Sequence, residues 1–406
     1  MVYNKSTSEN RKIIRDSIHG DIFLKELDIQ IVDTPEFQRL RRIRQLGMTH
    51  LVYPGANHTR FEHSLGAFHL AGRIAENLPI TPEEKTMVTS SALLHDIGHG
   101  PLSHTSEELL ERYLGKSHVE VTNSIISSSE IGNILKEWGI ETRSITQMIT
   151  GESQPLGKIV SGEVDIDRMD FLVRDAHYTG VAYGVIDLDR IINTTTIFNN
   201  SLVVAEGGLR AVEALLMARF LMTPTVYLHP ASRVADAMFL RATERAIEKG
   251  SLDYNALYKM DDYDIHNMFN DSTDYVYDIG VMLEKRQLFK KFLVMSWNDL
   301  DDESITELIK LRNNLKRWRR IESEMAEDCK IDDGYIILDI PKMPSYGEGN
   351  VSILIDGKVQ GLEDMSPLVK ILKEAHKNQW SIGVYTPKDN IEMVSKKLAD
   401  LDNYIR

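Results

Sequence analysis

Cysteine is almost absent. Cys329 stands alone, so an internal disulfide framework is excluded and a reducing, cytoplasmic setting is expected. Long apolar runs are missing as well. Stretches such as Leu215-Leu216-Met217-Ala218 are soon interrupted by charge and fall far short of the roughly 20 residues of a membrane span, so no membrane partner is expected. Met1 to Arg15 is polar and holds no apolar core of a secretory signal. Basic residues are in deficit. With 47 Lys and Arg against 61 Asp and Glu, the net charge is −14. A dedicated duplex-DNA binder carries the opposite balance, because release of counterions from phosphates drives its binding.

An acidic chain that handles anions must concentrate its cations locally. They gather at Arg39, Arg41, Arg42 and Arg44, and again at Lys310, Arg312, Lys316, Arg317, Arg319 and Arg320. Blocks like the second are usually solvated faces, so nucleic acid is a secondary expectation. A hydrophobic content of 42% is ample for a core.

Ile13 to Leu24 reads as a hairpin turning at His19-Gly20-Asp21. Thr34-Pro35 reads as N-cap and first helical residue of a helix running to Leu46, with Phe37, Leu40 and Ile43 on its apolar stripe and Gly47 closing it. From His63 to about Arg245 apolar residues recur at helical spacing, as in Leu65, Phe68, Leu70 and Ile74. Ile197 to Val204 reads as a second hairpin turning at Asn199-Asn200. Asp301 to Lys330 predicts a long charged helix with room for a break. Beyond Asp332-Asp333-Gly334 the pattern becomes ββαβα: strands over 335–340 and 351–355, a helix over 367–377, a strand over 381–385 and a helix over 390–401.

Nine of the thirteen histidines lie within the first 118 residues. Two segments stand out, Arg60-Phe61-Glu62-His63-Ser64-Leu65-Gly66 and Leu94-His95-Asp96-Ile97-Gly98-His99-Gly100-Pro101, followed by Asp165-Ile166-Asp167-Arg168-Met169-Asp170. Two imidazoles and two carboxylates, His63, His95, Asp96 and Asp167, suit one divalent ion, with iron, manganese, zinc and nickel all compatible. Adjacent helical residues point about 100° apart, so His95 and Asp96 can share an ion mainly where the helix ends. Gly98, Gly100 and Pro101 supply that ending. A divalent ion acidifies water and polarises a phosphoryl oxygen, the two requirements of phosphoester hydrolysis. A lone His-Asp pair is commonplace, and a histidine on an apolar helix face, such as His69, is more often a satisfied core residue.

These segments, together with Asp16-Ser17-Ile18-His19-Gly20, Asp33-Thr34-Pro35-Glu36-Phe37-Gln38-Arg39-Leu40-Arg41 and Tyr53-Pro54-Gly55-Ala56, resemble the HD superfamily. More narrowly they resemble its dNTP triphosphohydrolase branch, from about Ile13 to Arg245. The resemblance implies a mainly α fold: an HD helical core with short β-hairpins, followed by a small C-terminal α/β module. The boundaries expected are 1–45 for the hairpin and a nucleotide-binding helix, 46–250 for the phosphohydrolase core, 251–330 for a helical extension and 331–406 for the α/β module.

Residue by residue, it implies metal ligation by His63, His95, Asp96 and Asp167. His99, His104 and His118 would line the catalytic pocket, His118 being the first choice of general acid; an exposed histidine opening a helix is its plain alternative. Arg60 would hold phosphate oxygens beside the metal. Arg168 and Arg219 would add positive charge along the triphosphate, with Tyr227 nearby. Gln45 and Leu46 would wall the base and sugar, and Asp175 would meet the 3′-hydroxyl. Phe171 departs from the pattern, standing where a sugar-reading tyrosine is expected. Asp33, Gln38 and Arg41 match positions for an activating guanine nucleotide, and Gln38, Arg41 and Gln45 would share one helix face. Such sites lie between subunits, so a homo-oligomer, dimer or tetramer, follows.

The implied reaction is hydrolysis of a (deoxy)nucleoside triphosphate to nucleoside and inorganic triphosphate, with magnesium accompanying the triphosphate. Two other readings stand beside it: a phosphohydrolase acting on another nucleotide or phosphoester, and a non-enzymatic nucleotide-sensing or nucleic-acid-binding oligomer.

Overall fold

A computed structural model describes residues 11–343, 351–398 and Tyr404, and the chain divides into two units. The beginning of the region read for a secretory signal and the last residues of the helix expected over 390–401 lie outside the described residues.

The first unit comprises Met1–Met222, Asn255–Tyr263 and Glu348–Val369. Lys12–Asp16 pairs antiparallel with Gly20–Leu24, closing on Asp16 opposite Gly20. The turn falls at Ser17-Ile18-His19, slightly earlier than expected. Asp16 Oδ1 accepts the N–H groups of Ile18 and His19 at 2.9 and 2.8 Å, and this local bond decides where the chain reverses.

The helix expected to run from Pro35 to Leu46 is much shorter. Thr34 does cap it, Pro35 does open it, and Phe37, Leu40 and Ile43 are fully buried. Yet the α-helix covers only Pro35–Arg39, with a tighter turn over Leu40–Arg42. Beyond it the chain is extended. Gln45 N–H donates to His58 O at 3.0 Å, Arg60 N–H donates to Ile43 O at 2.9 Å, and Arg44 bridges Thr59. These long-range bonds outcompete helix continuation, so Gln38, Arg41 and Gln45 do not share a helical face, and Gly47 opens a short 3₁₀ turn over Gly47–Leu51 instead of closing a helix.

The core of the unit is built from Arg60–Asn77, Pro82–Leu94 and Ile166–Thr179, with Leu65, Leu70, Ile74, Leu93 and Met169 among the buried residues. The second hairpin forms as expected. Thr195–Phe198 and Ser201–Ala205 are joined by Asn199 and Asn200 at φ of 48° and 58°, the left-handed region asparagine tolerates in two-residue hairpin loops.

Ser201–Ala205 also pairs in parallel with Ser352–Ile355, which pairs with a further strand, Lys358–Gly361. The strands expected after residue 331 are therefore shared between two sheets. Ile337–Asp339 belongs with Lys290–Ser296 and Ser381–Thr386, in the second unit, which comprises Thr223–Tyr254, Asp264–Gly347 and Lys370–Arg406. Pairing across some 150 residues leaves no local trace in sequence.

The second unit buries Trp318, Met325, Trp380 and Val384 together. The Trp318 and Trp380 indole N–H groups donate to Leu338 O at 2.9 Å and Pro341 O at 3.1 Å. The charged helix expected over 301–330 is broken into Asp302–Arg312 and Leu315–Cys329, with the Asn314 side chain capping the second. Its cations do not form an open basic stripe. Arg319 is held between Glu244 and Glu322, Lys310 and Arg317 meet Glu307, Arg320 meets Glu324, and Arg312 donates to Ile340 O. No single helix among the described residues is long and apolar enough to cross a membrane.

Candidate metal centre

A capping box opens the Arg60–Asn77 helix, with Glu62 Oε2 accepting the Thr59 N–H at 2.6 Å, and sets Arg60 and His63 in its first turn. One turn later comes Gly66. A Cβ there would lie 1.9 Å from Asp170 Oδ1, so only glycine lets the Ile166–Thr179 helix approach closely enough to present Asp167 to His63. The Pro82–Leu94 helix ends at His95, and the chain turns immediately. Gly98 permits this, because a Cβ would lie 2.3 Å from His118 O. Its N–H donates to Thr122 Oγ1, whose hydroxyl donates to His95 O. Helix end and glycine together let His95 and Asp96 converge.

Three of the four expected ligands, His63, His95 and Asp167, bring ligand atoms within 4.8 Å of one another, and Asp96 lies beside them, grouped with His99 and His118. His63 Nε2 lies 3.3 Å from His95 Nε2, 3.1 Å from Asp167 Oδ1 and 3.3 Å from Asp96 Oδ2, while His95 Nε2 lies 3.4 Å from Asp96 Oδ1 and 3.7 Å from Asp167 Oδ1. The other imidazole nitrogens are already committed. His63 Nδ1 donates to Asp170 Oδ2 and His95 Nδ1 to Ala92 O, each at 2.8 Å, which leaves both Nε2 lone pairs turned to one point. Burial pulls the His63 imidazole down, but Asp167, Asp170 and Asp96 more than reverse this and hold it up to about 10. Burial likewise opposes the charged form of Asp96, and Arg60, His95 and His99 hold it well below the usual carboxylate range. A site that binds protons this tightly has the charge and the donor set for a divalent cation.

A polar shell supports the ligands. Asp170 also receives His19 Nε2 at 2.7 Å and Arg174 Nε at 2.8 Å, and Arg174 Nη1 reaches Asp16 at 2.9 Å. Arg60 donates through Nη1 to Asp96 and through Nε to Ser103 Oγ, while its buried Nη2 has no protein partner. Leu102 and Ser103 both have positive φ, 57° and 54°. Asp262 holds this strained corner by accepting the Leu102 N–H at 2.7 Å.

On the other side of Asp96, His99 Nε2 lies 3.3 Å from its carboxylate, and His99 stacks on His118 at 4.2 Å. His118 Nδ1 is bonded to Glu107 Oε1, and His104 Nδ1 lies 3.1 Å from Glu107 Oε2. Burial raises the Glu107 carboxyl, but the two histidines bring it well below its ordinary value. Glu107, Asp170, His19, Arg174 and Asp16 were given no role from sequence. Three-residue spacings, His104 to Glu107 and Asp167 to Asp170, are the only local signals that mark two of them.

Residues 60–171 match the HD domain family profile, and residues 186–402, over half of the chain, match the HD associated region. The chain belongs to the HD-domain family. It is 39% identical to an uncharacterized protein of Methanocaldococcus jannaschii, covering 96% of this chain and 84% of that one. It is 34% identical to the deoxynucleoside triphosphate triphosphohydrolase SAMHD1 of Gallus gallus over 48% of this chain and 38% of that enzyme. Among solved structures, a phosphohydrolase from Bacteroides thetaiotaomicron superposes with a TM-score of 0.76 at 27% identity, covering 93% of this chain and all of that one. HD domains bind a divalent metal, and the convergent donors of this HD protein fit one.

The other expected site residues are less uniformly placed. Arg168 turns back to its own helix cap, bonding Asp165 Oδ2 and Gly162 O. Asp175 is buried and receives His58 Nε2 at 2.8 Å. Gln45 is buried, Leu46, Phe171 and Arg219 are half-buried, and Tyr227 falls in the second unit. Asp33 pairs with Lys12, whereas Gln38 donates to Val32 O and accepts from Arg41 Nε at 2.8 Å. Arg41 also stacks over Phe61; burial pulls its guanidinium below the ordinary value, with Glu62 and Asp33 only partly opposing this.

Proposed function

We propose that this HD phosphohydrolase cleaves (deoxy)nucleoside triphosphates to nucleoside and inorganic triphosphate. The observation that carries the reading is the metal centre flanked by cation on one side and proton donor on the other: Arg60 with an uncommitted Nη2, and His118 backed by Glu107. Similarity to enzymes named as deoxynucleoside triphosphate triphosphohydrolases supports the substrate class.

A divalent ion held by His63, His95, Asp96 and Asp167 would supply Lewis acidity toward the phosphoryl group and acidify water. Arg60 Nη2 hydrogen-bonds a phosphate oxygen, its guanidinium anchored by Asp96 and Ser103. Water adds to the α-phosphorus and releases a proton to solvent, the bond to the 5′-oxygen breaks, and His118 gives that oxygen a proton from Nε2 while Nδ1 stays hydrogen-bonded to Glu107. Arg168 and Arg219 add charge along the triphosphate, and Gln45, Leu46 and Asp175 enclose sugar and base. Phe171 offers no hydroxyl to the sugar, so discrimination between dNTP and NTP is weak. Asp33, Gln38 and Arg41 form a guanine-nucleotide site that acts within a homo-oligomer.

Incubation of the metal-loaded protein with each dNTP and NTP, alone and with GTP or dGTP, tests this. Nucleoside plus tripolyphosphate is the expected result; release of orthophosphate or pyrophosphate overturns it. Glu107→Gln should lower kcat by a factor approaching the roughly 10²–10⁴ of losing proton transfer outright, with KM little changed. An unchanged kcat removes Glu107 from the mechanism.

A further inference from the structure

Beside His69, the first unit holds a cleft of about 840 Å³ that the proposed reaction leaves unused. Its volume lies within the roughly 300–1,000 Å³ of small-molecule sites. Phe23, Phe68 and Trp138 supply aromatic walls, and Arg11, Lys25, Arg73 and Lys85 supply cations that outnumber the acids Glu26, Asp28 and Glu76. Trp138 Nε1 donates to Gln30 Oε1 at 2.9 Å, which fixes an indole that is nevertheless 47% exposed. Arg73 and Lys85 pair with exposed acids, Asp189 and Glu76, and such surface pairs exchange partners at little cost.

Two features distinguish this cleft from an ordinary groove. The first is His69, which is not the satisfied core histidine its helical position suggests. It is half-buried in the cleft wall and stacks on His19 at 5.3 Å. Its only described partner is that ring. Burial, then the neighbouring His19 and Arg73, hold it down to about 4, so the imidazole is neutral and offers one donor and one acceptor. The second is Gly72, in the interior of the Arg60–Asn77 helix, where glycine is unfavourable. A Cβ there would meet only Thr89 Cγ2, at an ordinary 3.8 Å, so packing does not demand glycine as it does at Gly66. What the missing side chain does is leave the cleft open.

We propose that this cleft binds a planar heteroaromatic anion of nucleotide size, its ring against Trp138 and Phe68, its polar edge on His69 and its anionic group on Lys85 and Arg73. The ring faces suit aromatic stacking and the cations suit a phosphate. The site is also wired to the metal centre: His69 stacks on His19, His19 Nε2 meets Asp170 Oδ1 at 2.7 Å, and Asp170 Oδ2 holds His63 Nδ1 at 2.8 Å. An occupant that moves His69 therefore bears on a metal ligand, and by linkage the metal bears equally on the occupant. This coupling rests on the metal-centre reading, whereas binding in the cleft does not.

The test follows Trp138 emission in the metal-free full chain as AMP or GMP is added, with adenosine and inorganic phosphate as partial probes. Trp138→Phe isolates the signal. A saturable change with AMP or GMP is expected, with adenosine and phosphate at least about tenfold weaker. Gly72→Phe should fill the cleft and abolish binding while the circular dichroism is retained. Lys85→Ala should weaken binding about tenfold and decides the matter should Gly72→Phe not fold. No saturable change into the millimolar range, or undiminished binding in both variants, overturns the site. With AMP bound, the metal dissociation constant should shift; an unshifted constant overturns the coupling and leaves the site standing.

Discussion

His95→Ala protein is expected to emerge from purification without stoichiometric metal and with phosphohydrolase turnover lowered by more than about a thousandfold. The lost assistance includes bringing the pKa of water from 15.7 to about 7, for which nothing else in the pocket substitutes. His95 is the cleaner choice for this test. Asp96→Ala would also strip the buried Arg60 guanidinium of its counter-charge, and the cost of an unpaired buried charge would blur the result. In the wild-type chain, exhaustive chelation should reproduce the loss and readdition of a divalent ion should reverse it. Elemental analysis and turnover together check the expectation. Full metal content with undiminished activity in His95→Ala would remove the convergent donors from the reaction.

The second large effect is on stability. Arg174→Met should lose about 3–5 kcal/mol, because the guanidinium is fully buried between Asp16 and Asp170 and its removal leaves two carboxylates without their cation. A drop in melting temperature on the order of 10 °C would follow. The pH dependence has a definite sign. Burial raises Asp16 and Asp170, but Arg174 and the surrounding donors bring both below their ordinary value. Their favourable contribution in the wild type is therefore present above the unfolded carboxylate pKa of about 3.9 and is lost as pH falls through the folded value. In Arg174→Met the unpaired carboxylates, raised by burial, gain by taking up protons, so the deficit should be largest near neutrality and begin to shrink before the pH has fallen to the unfolded value of about 3.9. Melting curves across that range check this. A shift of less than about 1 °C at neutral pH would mean the network carries little of the stability.

Both experiments probe features of unequal visibility. The candidate ligands were legible because they cluster in short segments with chemically unusual composition, and because glycines mark where the helix must stop. Their supporting shell was not. Nothing around Asp16 or His19 announces that they hold Arg174 and Asp170, some 150 residues on, behind His63, since an acid and an imidazole are equally at home on a surface. Glu107 was missed for a related reason: its role depends on His118 being folded back over it. The helix expected to reach Leu46 failed through competition, local propensity yielding to backbone bonds with residues 58–60. The C-terminal strands were placed well one by one, but strand pattern carries no pairing partner, and Ser352–Ile355 found its partner in the second hairpin.

By itself, then, the sequence determined the chemistry available to this protein, the order of its elements and the turns set by asparagine, glycine and proline, because these depend on residue type and near neighbours. Only the tertiary structure decided which side chains share a centre, which cations are spent on internal acids, and that a helical glycine opens a cleft behind His19. Those are properties of distance between remote segments, and burial, desolvation and pairing act only once those segments have met.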